Sequence, residues 1–183
     1  MFPAVKRYLL SFGIERLEQT GKTHIVNGKN VKARKKTNNK WFETQDSISY
    51  WEDFLRPKIV WKRVGSILRF CYNNNGALGL DSTCFATGKN IEFICCVLNS
   101  PMGHYLLKDA PKTGTGDLLI SVQAVEPIKI PMITKEQNFI FEEALKELID
   151  YSSTEKEKEI SHKVFDLYNL SHDEQKYIEN NFT

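Results

Sequence analysis

No run of about 18 consecutive apolar residues occurs in the chain, so nothing in it reads as a membrane-spanning helix. The opening MFPAVKRYLLSFG lacks the unbroken apolar core and small-residue cleavage site of a secretory signal, which makes a cytoplasmic location the expectation. Cysteine is sparse. Cys71, Cys84, Cys95 and Cys96 show no CxxC spacing and no paired histidines at ligand distance, which argues against a zinc site or a disulfide framework and leaves them as small core residues. His24, His104, His162 and His172 are scattered, with no nucleophile or carboxylate constellation around them. The glycine-rich stretch PKTGTGD lacks the GK[ST] ending of a nucleotide phosphate loop and runs into a strand-like segment. No arrangement of carboxylates typical of a metal-dependent nuclease is evident.

What is present is a chain of 183 residues with 41% apolar content, enough to bury a core in one domain or in a domain with a small appendage. Its net charge of +2 conceals a strong asymmetry. The balance is +9 over residues 1–70, −1 over 71–134 and −6 over 135–183. A basic front attracts phosphate-rich partners, because each Lys or Arg that neutralises a phosphate releases counterions.

Apolar residues Val5, Leu9, Leu10, Phe12, Ile14 and Leu17 recur at helical spacing over residues 3–18, which predicts an amphipathic helix interrupted near Gly13. Residues 20–40, TGKTHIVNGKNVKARKKTNNK, read as a mobile basic loop. Short β-branched and aromatic runs follow at 41–44, 58–61, 66–72, 80–85, 117–125 and 128–133, separated by Gly, Pro and Asn, and predict a mixed sheet. Between them, 90–99 and 102–108 read as helices, with Ile91, Ile94, Cys95 and Leu98 on a buried stripe. In the last third, Thr134 with Gln137, Thr154 with Glu157 and Ser171 with Glu174 have capping-box spacing and predict three helices. Their apolar faces are Phe141, Ala144, Leu145, Leu148 and Ile149; Ile160, Val164, Leu167 and Tyr168; and Tyr177 and Ile178. The fold class expected is α+β. A mixed, twisted β-sheet recognition domain with flanking helices would occupy residues 1–133, and a C-terminal helical segment, 134–183, would pack on it.

Four blocks, in this order, carry a family resemblance. FPAVKRYLLSFGIERLEQ is similar to a proline-led helix, and KWFETQ followed by FLRPKIVWKRVG to an aromatic strand and an F-x-x-P-K-I strand. VLNSPMGHYLL is similar to an LNS helix, and VEPIKIPMI to an exit strand before a long helix, while VFDLYNLSHDE resembles the family's ending. The chain resembles the TaqI-like C-terminal specificity domain, or target-recognition domain, of type II enzymes that fuse methylation and cleavage, and half of a type I specificity subunit. The resemblance implies sequence-specific recognition of double-stranded DNA within a restriction–modification system. The parent enzymes are site-specific adenine methyltransferases and restriction endonucleases. Their NPPY or DPPY tetrapeptide is absent here, and Asn73-Asn74-Asn75-Gly76 is the nearest string. Catalysis, with S-adenosylmethionine and Mg²⁺, therefore falls to a separate domain or subunit, and no catalytic, cofactor-binding or metal-binding residue is assigned to this chain.

Phosphate contacts set register on a duplex and base-edge contacts set sequence. Candidate phosphate ligands are Lys29, Lys32, Arg34, Lys35, Lys36 and Lys40, joined by Lys58, Lys62 and Arg63 on the KIVWKR strand. The period of two puts Lys58, Val60 and Lys62 on one face and Ile59, Trp61 and Arg63 on the other. Polar loops supply candidates for base readout: Asn73, Asn74 and Asn75; Asp81, Ser82 and Thr83; and Lys112, Thr113 and Thr115. An alternative function remains open, a protein-interaction domain that docks to another subunit of such a complex and touches DNA only marginally.

Overall fold

The structure, a computed structural model, describes residues 2–46 and 48–182, and the chain divides into two compact units, Met1–Trp51 and Glu52–Thr183. The first unit opens on helix α1 (Pro3–Leu10), where proline at the first helical position has no amide hydrogen to leave unsatisfied. Gly13, at φ +86°, breaks the chain before the short helix α2 (Ile14–Leu17). The apolar spacing therefore does form helix, yet no residue of α1 is buried.

Residues 20–40 are not a mobile loop. They hold a β-hairpin of strands β1 (Thr23–Val26) and β2 (Lys29–Lys32), in antiparallel register with Val26 opposite Lys29. The two-residue connection Asn27-Gly28 lies at positive φ at both positions, the geometry that matches the twist of paired strands and that Asn and Gly tolerate best. The unit is held by polar groups rather than by a greasy core. Buried Gln19 donates through Nε2 to the carbonyls of Lys40 (2.9 Å) and Glu43 (2.9 Å), and accepts at Oε1 from Thr37 (2.6 Å). Residues 41–44, expected as a strand, form a turn around these carbonyls.

A 3₁₀ turn at Trp51–Leu55 opens at the last residue of the first unit and leads into the strands of the second, β3 (Lys58–Lys62), β4 (Val64–Gly65), β5 (Phe70–Asn73) and β6 (Thr83–Thr87). The main sheet has the order β5-β3-β6. Every pairing between named strands is antiparallel, where a mixed sheet was expected. Ile59 and Trp61 of β3 sit opposite Tyr72 and Phe70 of β5 and opposite Ala86 and Cys84 of β6, so these six share one face. That face meets α3 (Ile91–Asn99), which is buried nearly all round. Helix α4 (Pro101–Leu106) starts one residue later, with Ser100 as cap to Gly103. A Cβ at Gly103 would run into the Val97 carbonyl and the Leu98 backbone, so only glycine permits this tight α3–α4 corner.

Residues 117–125 split into strand β7 (Leu118–Leu119), paired with β4, and the short helix α5 (Val122–Val125). Residues 128–133 are irregular rather than a strand, since Pro127 and Pro131 have no amide hydrogen to give a ladder. Helices α6 (Lys135–Asp150), α7 (Thr154–Leu167) and α8 (His172–Asn181) complete the unit. Both capping boxes, Thr134 with Gln137 and Ser171 with Glu174, close in both directions. The cap of α7 is Ser153, accepting from Lys156 N–H, and not Thr154.

Phe141, Ala144, Leu145, Ile160, Val164, Phe165 and Ile178 join Ile59, Trp61 and α3 in one hydrophobic cluster. Full burial of a side chain such as Phe93 or Phe165 contributes roughly 2–3 kcal/mol. The C-terminal helices are thus part of the unit that holds the sheet, and the division of the chain falls after Trp51 instead of after residue 133. Ile149 and Tyr177, placed on apolar faces by their spacing, are exposed. No helix among the described residues is long and apolar enough to cross a membrane.

Candidate nucleic-acid interface

The strand register sorts the candidate residues by position. Lys62 sits opposite Thr83 at the end where β3 leaves the sheet, and Arg63 donates its backbone N–H to the Ser82 carbonyl (3.0 Å). The Arg63 carbonyl accepts from Ile120 N–H (2.8 Å), while β4 pairs with β7 and Lys112 bridges to Leu118. This one end of the second unit therefore gathers Lys62, Arg63, Asp81, Ser82, Thr83, Lys112, Thr113 and Thr115. Arg69, next to Phe70 opposite Trp61, belongs to the same end and lines a small hollow there with Lys62, although sequence reasoning passed it over. Lys62, Arg63, Arg69 and Lys112 are exposed and have no ion-pair partner among the described residues. The only local carboxylates the loops contribute are Asp81 and Asp117.

The PKTGTGD loop is a tight turn tied to itself. Thr113 N–H donates to the Asp117 carbonyl (2.8 Å) and Gly116 N–H to the Thr113 carbonyl (3.0 Å). The Thr115 hydroxyl donates to Asp117 Oδ2 (3.1 Å), so the Thr113 hydroxyl must donate to Thr115 (2.8 Å). Both hydroxyl protons are consumed, and these threonines meet a ligand as acceptors. Thr83 likewise donates its hydroxyl to the Leu80 carbonyl (2.7 Å). The free side-chain donors of this end are its four cations and the exposed Ser82 hydroxyl.

Two phosphate candidates belong to the structure's framework. Lys58 is only 1% exposed and donates Nζ to the Phe54 carbonyl (2.7 Å). It shares the outer sheet face with Val60 and Phe85, and Phe54 stacks on Phe85 at 4.7 Å between centroids. Period-two alternation placed Lys58 on the right face, but the cover on that face is invisible in the strand's own sequence. Arg34 spends its guanidinium on the carbonyls of Leu17 (2.8 Å), Glu43 (3.0 Å) and Trp41 (2.6 Å). Lys29, Lys32, Lys35, Lys36 and Lys40 are exposed on the first unit.

Asn73, Asn74 and Asn75 lie at the other end of β3, since Asn73 pairs with Lys58, which puts them on the order of 13 Å from the Lys62 end. Asn73 Nδ2 donates to Asn75 Oδ1 (2.7 Å), and both side chains accept from Ala77 N–H. They line a cleft of about 1520 Å³ bounded by β5, α3, α6 and α7. Its carboxylates are Glu92, Glu142, Glu143, Asp150, Glu157 and Glu179, against the cations Arg69, Lys146 and Lys158. That balance repels phosphate, so the NNNG turn is separated from Lys62, Arg63 and Lys112 by distance and lies in an unfavourable field for phosphate, although Arg69 lines the same cleft.

Inside the cleft the Tyr72 hydroxyl donates to Glu92 Oε1 (2.7 Å), and burial together with this carboxylate raises the Tyr72 pKa far above the phenol range. Burial likewise pushes the Cys95 thiol up to about 12 and raises that of Cys96, so both stay protonated and unreactive. Cys71 is exposed, against the expectation that all four cysteines lie in the core. No group of three His, Cys, Asp or Glu among the described residues is placed to hold a metal ion. No protein-family model matches the chain, and no curated protein matches it.

Proposed function

We propose that this chain is a sequence-specific DNA-recognition module of a restriction–modification system, acting beside a methyltransferase or endonuclease half that binds S-adenosylmethionine and Mg²⁺. The observation that carries the DNA reading is the gathering, by strand register, of four exposed unpaired cations with the Asp81–Thr83 and Lys112–Thr115 loops at one end of the sheet. Phosphate oxygens are the natural ligands of the cations, and loop backbone and acceptor groups beside them are the kind that read base edges. The ordered sequence blocks support the finer assignment to a restriction–modification system.

The test is selection of the full chain on a randomised duplex library, followed by salt titration on the recovered site. Recovery of one short motif is expected, with a log–log salt slope that falls by about one for each of Lys62→Ala, Arg63→Ala and Lys112→Ala. Lys58→Met is expected to leave that slope unchanged. A duplex affinity that ignores salt and all three surface substitutions would sink the proposal and favour the rival reading, a subunit-docking domain, for which the acidic cleft is the supporting observation.

A further inference from the structure

We propose that the acid-rimmed cleft of the second unit seats helix α1 of another copy of this chain. The inference stands apart from the DNA reading: of the residues gathered at the cationic end only Arg69 also lines the cleft, as one of its outnumbered cations.

Helix α1 is a surface without an occupant. Phe2, Val5 and Leu9 fall on one side at 3.6 residues per turn, with Tyr8 beside them. Phe2 is 80% exposed, Tyr8 66% and Val5 54%. An eight-residue helix is too short to hold its own shape in water, and in proteins such helices persist through packing of an apolar face. Residues 2–12 carry Lys6 and Arg7 and no carboxylate, so the segment is cationic as well as apolar.

The cleft is complementary on each count. Its six carboxylates outnumber its three cations, and Glu143, Asp150 and Glu157 on its rim have no ion-pair partner among the described residues. Glu147 and Glu159, by contrast, are engaged by Lys156, at 2.6 Å and 3.1 Å. The cleft lining includes apolar surface from Ile67, Leu145, Leu148 and Ile149, and Ile149 is 59% exposed. A two-turn helix is about 12 Å long and 10–12 Å wide, on the order of 1000 Å³, which the cleft of about 1520 Å³ accommodates. The contact pairs two different surfaces, so it is heterologous, and one copy can offer a helix while its partner offers a cleft.

That asymmetry gives the experiment. Sedimentation equilibrium of the full chain across a concentration series is expected to show self-association. A helix variant, Val5→Asp with Tyr8→Asp, and a cleft variant, Glu143→Lys with Glu157→Lys, should each weaken it on the order of tenfold or more. All four positions are exposed, and circular dichroism melts matching the parent chain establish that the variants fold. Mixing the two variants should restore a one-to-one complex, because the helix variant keeps its cleft and the cleft variant keeps its helix. A parent chain that remains monomeric throughout overturns the proposal. So do variants that associate like the parent, or folded variants that fail to complement each other.

Discussion

Arg34 and Lys58 are cations that the chain uses as internal cross-links. Arg34 reaches three carbonyls spread from Leu17 to Glu43, so one planar group ties the helical start of the first unit to its final turn. A lysine preserves the charge but not the fork. Arg34→Lys is therefore expected to lower the stability of the first unit by about 2–3 kcal/mol, read as early proteolysis within residues 17–46, with no change in net charge. Lys58 satisfies the Phe54 carbonyl from inside the protein, and its charge is out of a phosphate's reach. Composition identifies both residues as basic. It does not say which basic residues have carbonyls waiting for them, because those carbonyls come from segments up to 17 residues away.

At the level of elements, helix ends are the best-specified features. Ser153 caps α7 and Thr154 is its first helical residue, so Ser153→Ala is expected to cost about 1 kcal/mol and Thr154→Ala close to nothing, as denaturant midpoints would report. Helix α8 is pinned at its end by His104, whose Nδ1 lies 2.9 Å from the Phe182 carbonyl. A carbonyl only accepts, so Nδ1 carries the proton of the neutral ring. Burial lowers the His104 pKa below its ordinary value, against a smaller opposing effect of that hydrogen bond. The unfolded chain thus takes up a proton that the folded chain refuses, and stability falls as pH drops through the unfolded value of roughly 6.5. Lower amide protection in α8 at mildly acid pH, after division by the intrinsic exchange rate at each pH, should disclose this, and His104→Gln should flatten the dependence.

The helices α3, α4, α6 and α8 were legible because periodicity and caps are local. The β1–β2 hairpin was equally local, in Asn27-Gly28 between alternating residues, but was hidden by the density of lysines around it. The ends of the strands were not legible, since β3 pairs with β6 across more than 20 residues and no local signal fixes that register. The candidate site depends on that register and on the β4–β7 pairing that brings in the Lys112 loop. Two of the three loop groups meet at one end because of these pairings, and the NNNG turn is carried to the other.

For the whole molecule, the division of labour is between a polar unit and an apolar one. Every member of the hydrophobic cluster lies in the second unit, while among the described residues of the first only Ala33 and Gln19 are buried. A chain of residues 52–183 is therefore expected to fold on its own, with the near-ultraviolet signal of Trp61 packed on Phe70 at 5.7 Å retained on deleting the first unit. Loss of that signal would show that the first unit contributes to the core.

The position of β3 has a further consequence, for synthesis. It is the central strand of its sheet and the first of the three to leave the ribosome, so its neighbours are added on either side afterwards. Ile59 and Trp61 are translated well before α3 can cover them, and α3 itself waits for Phe141 and Val164. Nascent chains arrested where Trp61 has emerged from the ribosome and α3 has not should accordingly cross-link to holding chaperones through Trp61 and release them once α7 has emerged. The time between those two points, set by the speed of translation, is the window in which this protein is most exposed to aggregation.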